Sequence, residues 1–409
     1  MTRRERVLRA LSFEETDRPP MDLGGMLSSS ISCFAYPSLV KALGLPPRRP
    51  RVHDTYQMLA MSDLDVLDAL DCDVVSVFGY GNWNVTSAFD QPGRWRPYDF
   101  NGRLVAEVLN PESFEVLEDG TIVQPALKAQ MPPDAYVFDA EHGGQPIDLS
   151  ADIPKPDLAT VKSNLEAGLL TSKQVDELAE LCRCAREASD RAILFQGPMA
   201  QLSLMAHGGI GIFPLLCLTE PEFVAALHEM AIQYDIQQLE RLLPSVCPYI
   251  DVYLSAADDW GSQNQLLAAP HVYEQLFMPY FRKYNDAVHT IAPEMKTQFH
   301  CCGAVFDILD LIIESGFDIL NPVQWPAGGH SYQEWKNKCR KRIALWGGGI
   351  NAQETLARGT VAAIEREVTD VVRCLKKDGG YVFNSIHNIL AEIPGEKVVA
   401  MYRAARACS

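Results

Sequence analysis

Residues 296–323 read KTQFHCCGAVFDILDLIIESGFDILNPV. The run 296–302 is strand-like, 304–315 carries apolar residues at helical spacing, and 317–323 is strand-like again, so the stretch reads as strand, helix and second strand joined by short turns. Outward from it the same alternation recurs. Strand-like runs fall at 20–24, 73–79, 192–197, 250–257, 296–302, 317–323, 343–347 and 380–385. Helical patterns such as 222–243, 271–290, 304–315 and 360–378 fill the intervals, the last stopped by Gly379 and Gly380. Eight such units predict an α/β protein whose parallel sheet closes into a (β/α)8 TIM barrel rather than staying open and doubly wound.

The stretch 83–138 breaks this rhythm. It holds aromatic and β-branched runs with turn signals at Asp99-Phe100-Asn101-Gly102 and Glu118-Asp119-Gly120, which predict antiparallel hairpins. An antiparallel β insertion after the second strand, covering the barrel mouth, is expected, with residues 1–409 forming a single barrel domain.

Lys and Arg number 36 against 53 Asp and Glu, a formal charge of -17, which opposes a role in neutralising nucleic-acid phosphates or an anionic membrane. The opening Met-Thr-Arg-Arg-Glu-Arg-Val-Leu-Arg-Ala-Leu is amphipathic and has no signal-peptide core, and no apolar run reaches the roughly 20 residues of a membrane span. Eleven scattered cysteines fit a reducing compartment, so a cytoplasmic location is expected. A homodimer is the default assembly.

In a barrel of this kind the chemistry lies at the C-terminal strand ends. The fourth end offers Asp258, Asp259, Trp260 and Gln263, the fifth His300-Cys301-Cys302, the sixth Asn321 and Gln324, the seventh Gly347-Gly348-Gly349, and the eighth Asn384 and His387. Strand alternation puts His300 and Cys302 on one face and Cys301 on the other. An imidazole and a thiolate together suit zinc, for which a third ligand has to come from another strand end, with His387 the evident candidate. Packing of a hydrogen-bonded core histidine beside a buried thiol explains the same spacing. Asp258 and Asp259 read equally as catalytic carboxylates or as acceptors for turn amides. The glycine triplet suits either an anion or close backbone approach.

With those residues in view, the chain resembles the uroporphyrinogen decarboxylase superfamily, which holds both the haem-pathway decarboxylase and the zinc methyltransferases that act with corrinoid proteins. The likeness runs through RERVLRALSFEETDRPPMDLGG, DDWGSQNQLL, FHCCGAVFDILDLIIESGFDILNPVQ, ALWGGGINAQETLARGT and GGYVFNSIHNILAEIPGEKVVAMYRAA. The paired arginines with which the decarboxylase holds tetrapyrrole carboxylates are absent from Arg18-Pro19-Pro20-Met21-Asp22-Leu23-Gly24-Gly25, and the family aspartate is absent from Phe78-Gly79-Tyr80-Gly81. The methyltransferase branch binds zinc through His-x-Cys after the fifth strand, matched by His300 and Cys302, and a cysteine after the eighth, where this chain has His387.

The resemblance therefore implies a zinc-dependent, O-demethylase-type transfer of methyl from a small methylated substrate, such as a methoxylated aromatic, to the cob(I)alamin of a separate corrinoid protein. A separate partner is required because no Asp-x-His-x-x-Gly cobalamin signature occurs here. Asp258, Asp259 and His387 are the expected catalytic groups, and Tyr80, Trp83, Trp260, Gln263, Asn321, Gln324 and Asn384 the expected substrate contacts. The alternatives are a cofactor-free decarboxylase-like lyase and a non-catalytic tetrapyrrole- or corrinoid-binding protein.

Overall fold

The computed structural model describes residues 1–80, 83–90, 92–139 and 153–408. Residues 20–22 form an extended segment, here β1, whose Met21 makes an isolated bridge. Seven parallel strands then lie side by side in chain order: β2 (Val74–Tyr80), β3 (Ala192–Gln196), β4 (Val252–Ala257), β5 (Lys296–His300), β6 (Ile319–Asn321), β7 (Ala344–Trp346) and β8 (Tyr381–Val382). Met21 of β1 bridges Phe383, just past β8, in parallel, and its carbonyl accepts the Asp73 N–H at the start of β2 at 2.7 Å. Both parallel edges of the curled sheet are thus hydrogen-bonded to one segment, an arrangement compatible with a TIM barrel.

Side-chain alternation sorts the core into two layers. Val74, Ala192, Leu194, Val252, Leu254, Ile319, Ala344, Trp346 and Val382 pack together inside the curl. Their neighbours Val75, Ile193, Tyr253, Phe299, Leu320, Leu345 and Tyr381 pack outward, in the larger core shared with the helices. Helix α1 (Arg3–Leu11), opened by a Thr2–Glu5 capping box, sends Val7 and Leu11 into the inner cluster and so covers the N-terminal end of the curled sheet.

Two helical expectations shift for local reasons. The 271–290 pattern is two helices, Pro270–Leu276 and Met278–Ile291, because Pro279 cannot donate a backbone hydrogen bond and breaks the helix near Phe277. The 304–315 pattern starts with a single 3-10 turn, Phe306–Ile308, before Leu309–Glu314. The helix predicted at 360–378 spans Val361–Leu375, capped by the Thr360 hydroxyl and ended before Gly379 and Gly380, both at positive φ.

Outside the barrel strands, Trp83–Ser87 runs antiparallel to β2, Arg96–Asp99 to Val105–Val108, and Ile122–Gln124 to both Glu115–Val116 and Ala129–Met131. Among the described residues no helix is long and apolar enough to cross a membrane.

Candidate metal centre

β5 keeps regular alternation to its end, so Gln298, His300 and Cys302 face inward while Phe299 and Cys301 pack in the outer core. β4 does not. Its register against β5 shifts between Leu254 and Ala256, which reverses the parity of every later residue: Leu254 faces inward, Ala256 packs outward, and Ala257 and Asp259 line the cavity. Asp258 is thereby turned away. Its carboxylate accepts the Ser203 hydroxyl at 2.7 Å, the Leu204 N–H at 2.8 Å and the Trp260 indole N–H at 2.7 Å, and burial pushes its pKa up to about 7. Asp258 thus holds the loop that carries Ser203 and Leu204, and the amides of Gly261 and Ser262 donate elsewhere.

The loops after β4 and β5 cross at two glycines. A Cβ on Gly303, at φ +87°, would stand 1.9 Å from the Gly261 carbonyl oxygen, and one on Gly261 would stand 2.2 Å from the Ala304 nitrogen. Only glycine fits at this contact. The Gly261 N–H donates to the Cys302 carbonyl, and the Cys302 N–H donates to Asp259 Oδ1 at 3.1 Å. Gln324 Oε1 accepts the Gly303 N–H at 2.9 Å, which makes Gln324 a support of the loop that carries Cys302.

His300, Cys302 and His387 meet at the end of β5 and beyond β8. One ligand atom from each lies within 4.8 Å of the other two, a set that could hold a metal ion. Cys302 Sγ is 3.1 Å from His300 Nε2, and the two imidazole rings stand edge to face with centroids 5.7 Å apart.

The His300 tautomer follows from its partner. Asn321 Nδ2 is 3.0 Å from the Trp346 carbonyl, which can only accept, so the amide oxygen is the atom facing His300 Nδ1 at 2.9 Å. Nδ1 therefore carries the proton and Nε2 presents its lone pair toward Cys302. The Ser28 hydroxyl, 2.8 Å from the same amide oxygen, completes this support.

Burial, reinforced by His300 and opposed by Asp259, lowers the His387 pKa to about 4, so its imidazole is neutral and ligand-competent at pH 7. Burial and the Asp259 carboxylate push the Cys302 thiol up; a divalent cation would reverse that bias. Two imidazoles and a thiol are a donor set that zinc takes, with nitrogens at about 2.0–2.1 Å and sulfur at about 2.3 Å.

His300, His387 and Asp259 share a cavity of about 390 Å³ with Met26, Leu27, Ser28, Gln57, Gln196, Met199, Leu254 and Ala257. Of the other expected contacts, Asn321 is fully buried behind His300 and Trp260 is fully buried against Tyr273 and Phe277 instead of walling the cavity. Gln263 is exposed, and its backbone carbonyl accepts the Gly328 N–H. Asn384 is buried below the centre beside Gly347, its amide atoms unpartnered among the described residues. Tyr80 and Trp83 pair across the β2 hairpin, but their side chains lie outside the described residues. A Cβ on Gly349 would strike the Phe383 ring at 2.2 Å, so close approach accounts for that glycine of the triplet. Sequence reading leaves out Ser28, Gln57 and Gln196. Gln196 could have been found, since it continues the inward phase of Ala192 and Leu194 to the end of β3.

A curled parallel sheet with ionisable groups gathered at its C-terminal ends is compatible with the architecture of a TIM-barrel enzyme. The family model described as uroporphyrinogen decarboxylase (URO-D) matches residues 148–408, and the chain belongs to that family. Uroporphyrinogen decarboxylase of Geotalea daltonii is 23% identical over 181 residues, 44% of this chain and 48% of the relative. That of Geobacter sp. (strain M21) is 25% identical over 183 residues, with the same shares. The chain thus spans about half the length of the curated relatives it matches. Among solved structures, a methyltransferase from Methanosarcina mazei superposes with a TM-score of 0.55 at 16% identity, over 99% of this chain and 98% of that one. This likeness is one of fold.

Proposed function

We propose that the chain is a zinc-dependent methyltransferase that moves a methyl group from a small methylated compound, such as a methoxylated aromatic, to the cob(I)alamin of a separate corrinoid protein. The observation that carries this reading is the convergence of His300, Cys302 and His387 within 4.8 Å beside a cavity. Zinc held by these side chains would supply Lewis acidity to the leaving heteroatom. Asn321 fixes the lone pair of His300, and Met26, Leu27, Met199, Leu254 and Ala257 give the substrate an apolar wall. Ser28, Gln57 and Gln196 are the polar groups placed to orient it. We assign the stretch 83–138 the part of a cover over the mouth. The activity named for the Methanosarcina mazei neighbour is in keeping with this assignment.

The family description and both curated relatives favour a second reading, decarboxylation of a tetrapyrrole. Against it stands the cavity, whose described lining includes Asp259 but neither lysine nor arginine. A substrate bearing many carboxylates would be desolvated there without compensation. Asp258, the other carboxylate at this strand end, is turned into a loop.

The two readings separate in one experiment. Purified protein is assayed for zinc, then supplied with cob(I)alamin and methoxylated aromatics, or with uroporphyrinogen, alongside His300→Ala and Cys302→Ala. Methyl transfer that tracks zinc content and fails in both variants is the expected result. Metal-free protein with full activity, or turnover of uroporphyrinogen, overturns it.

A further inference from the structure

A second cavity, of about 220 Å³, lies between the helices Leu158–Ala167 and Pro221–Val246 and the loop that follows β3. It shares no lining residue with the cavity beside His300. Val161, Leu165, Ala206, Leu227 and Ala231 give it apolar walls, with the exposed Asn164, Gln201 and His207 at its rim. Its described lining carries no lysine, arginine or carboxylate. The loop side is fixed: the Asp235 carboxylate accepts the Gln201 N–H at 2.8 Å and its side-chain amide at 3.0 Å, and Asp258 holds Ser203 and Leu204. The cavity is therefore formed before any ligand arrives.

One lining residue stands apart from these apolar walls. His228 is 3% exposed and sits among the rings of Phe213, Phe277 and Tyr280, with centroids at 5.9, 4.7 and 5.7 Å. Burial lowers its pKa to about 4, so the ring is neutral at pH 7. Its Nδ1 faces the Leu276 carbonyl, which can only accept, so Nδ1 carries the proton and Nε2 is a bare lone pair. Among the described residues Nε2 has no hydrogen-bond partner, yet it is not sealed from the surface, and the residue lines the cavity. An acceptor left without a donor in apolar surroundings costs free energy that a ligand hydroxyl would restore. An apolar cavity of about 150 Å³ takes benzene, so this one has room for a six-membered ring and a polar substituent. We propose that it is a second ligand site, for a small neutral molecule with an apolar ring and a hydroxyl that donates to His228 Nε2. Its occupant touches the loop whose Met199 walls the cavity beside His300, so binding stiffens a segment common to both. The inference does not depend on the metal reading.

The test uses the full chain with phenol as probe and toluene as its hydroxyl-free analogue, affinities being read by calorimetry and the site located by hydrogen exchange. Phenol should bind and slow exchange at 161–168 and 201–207. His228→Phe keeps the ring packing and removes the lone pair, so the preference for phenol over toluene should fall about 10-fold. Ala206→Leu keeps His228 and fills the cavity from the loop side. It should abolish phenol binding, and it decides the question if His228→Phe does not fold. No phenol binding, an unchanged preference in folded His228→Phe, undiminished binding in Ala206→Leu, or protection confined to the residues around His300 overturns the inference.

Discussion

Asp258 and Asp259 face opposite ways as neighbours do, and the register slip between Leu254 and Ala256 makes Asp259 the one that faces the cavity. Alternation alone would have sent Asp258 inward with Val252 and Leu254, so no count of residues along β4 could separate the two carboxylates. His300 and Cys302 were legible because β5 has no such slip. The division of labour gives paired expectations. Asp258→Ala strands the Ser203, Leu204 and Trp260 donors and should cost about 2–4 kcal/mol in urea unfolding. Asp259→Asn should stay within about 0.5 kcal/mol of the wild type in the same measurement, since its side chain faces the cavity. Asn321 was read as a substrate contact; its amide instead joins the Trp346 carbonyl to His300, a link between strands that sequence spacing cannot reveal. Asn321→Ala should weaken zinc binding about 10–100-fold by chelator competition.

Among the elements, the crossing of the loops after β4 and β5 is the least tolerant. Gly303→Ala combines a positive φ with a clash against the Gly261 carbonyl, and should destabilise the protein by more than about 1 kcal/mol and abolish zinc uptake. Thermal unfolding and metal analysis read the two effects separately. The helix Pro221–Val246 buries His228, whose Nδ1 lies 2.6 Å from the Leu276 carbonyl, and burial lowers its pKa to about 4. Below about pH 6.5 the unfolded chain takes up a proton at this residue that the folded chain refuses, so its contribution to stability falls as pH drops from 6.5 toward 4. His228→Gln should flatten that part of the profile. The wild type should lose about 2 kcal/mol more than the variant between pH 7 and pH 5, as read by urea midpoints. Helix existence was legible from periodicity, whereas the break near Phe277 turned on one proline inside an otherwise continuous pattern.

Across the whole molecule, the two ends of the curled sheet are built differently. At the N-terminal end an aspartate before each of β2, β4 and β6 caps the strand before it: Asp73 accepts the Met21 N–H, Asp251 that of Ile193 and Asp318 that of Thr297. Asp73 is fully buried and also binds Arg6 and Arg18 at 2.7 Å. Asp73→Ala should cost about 3–5 kcal/mol, because it leaves Arg18 without its carboxylate partner and Arg6 with Asp17 alone, while the zinc affinity of the folded protein at the far end stays unchanged. These aspartates were visible in the sequence as Asp73-Val-Val, Asp251-Val-Tyr and Asp318-Ile-Leu, a recurrence that emerges once the strand starts are aligned. The seven parallel strands were equally legible, since a sheet buried on both faces writes that burial into continuous apolar runs. The cavity wall was not, because Met26, Leu27, Ser28, Gln57 and Met199 come to it one at a time from loops whose paths the local sequence does not set.

The central claim is tested most directly by zinc-edge X-ray absorption on the purified, zinc-loaded chain. The account predicts a shell of one sulfur at about 2.3 Å and two imidazole nitrogens at about 2.0–2.1 Å, with the sulfur lost in Cys302→Ala. A shell without sulfur, or one that Cys302→Ala leaves unchanged, would contradict it.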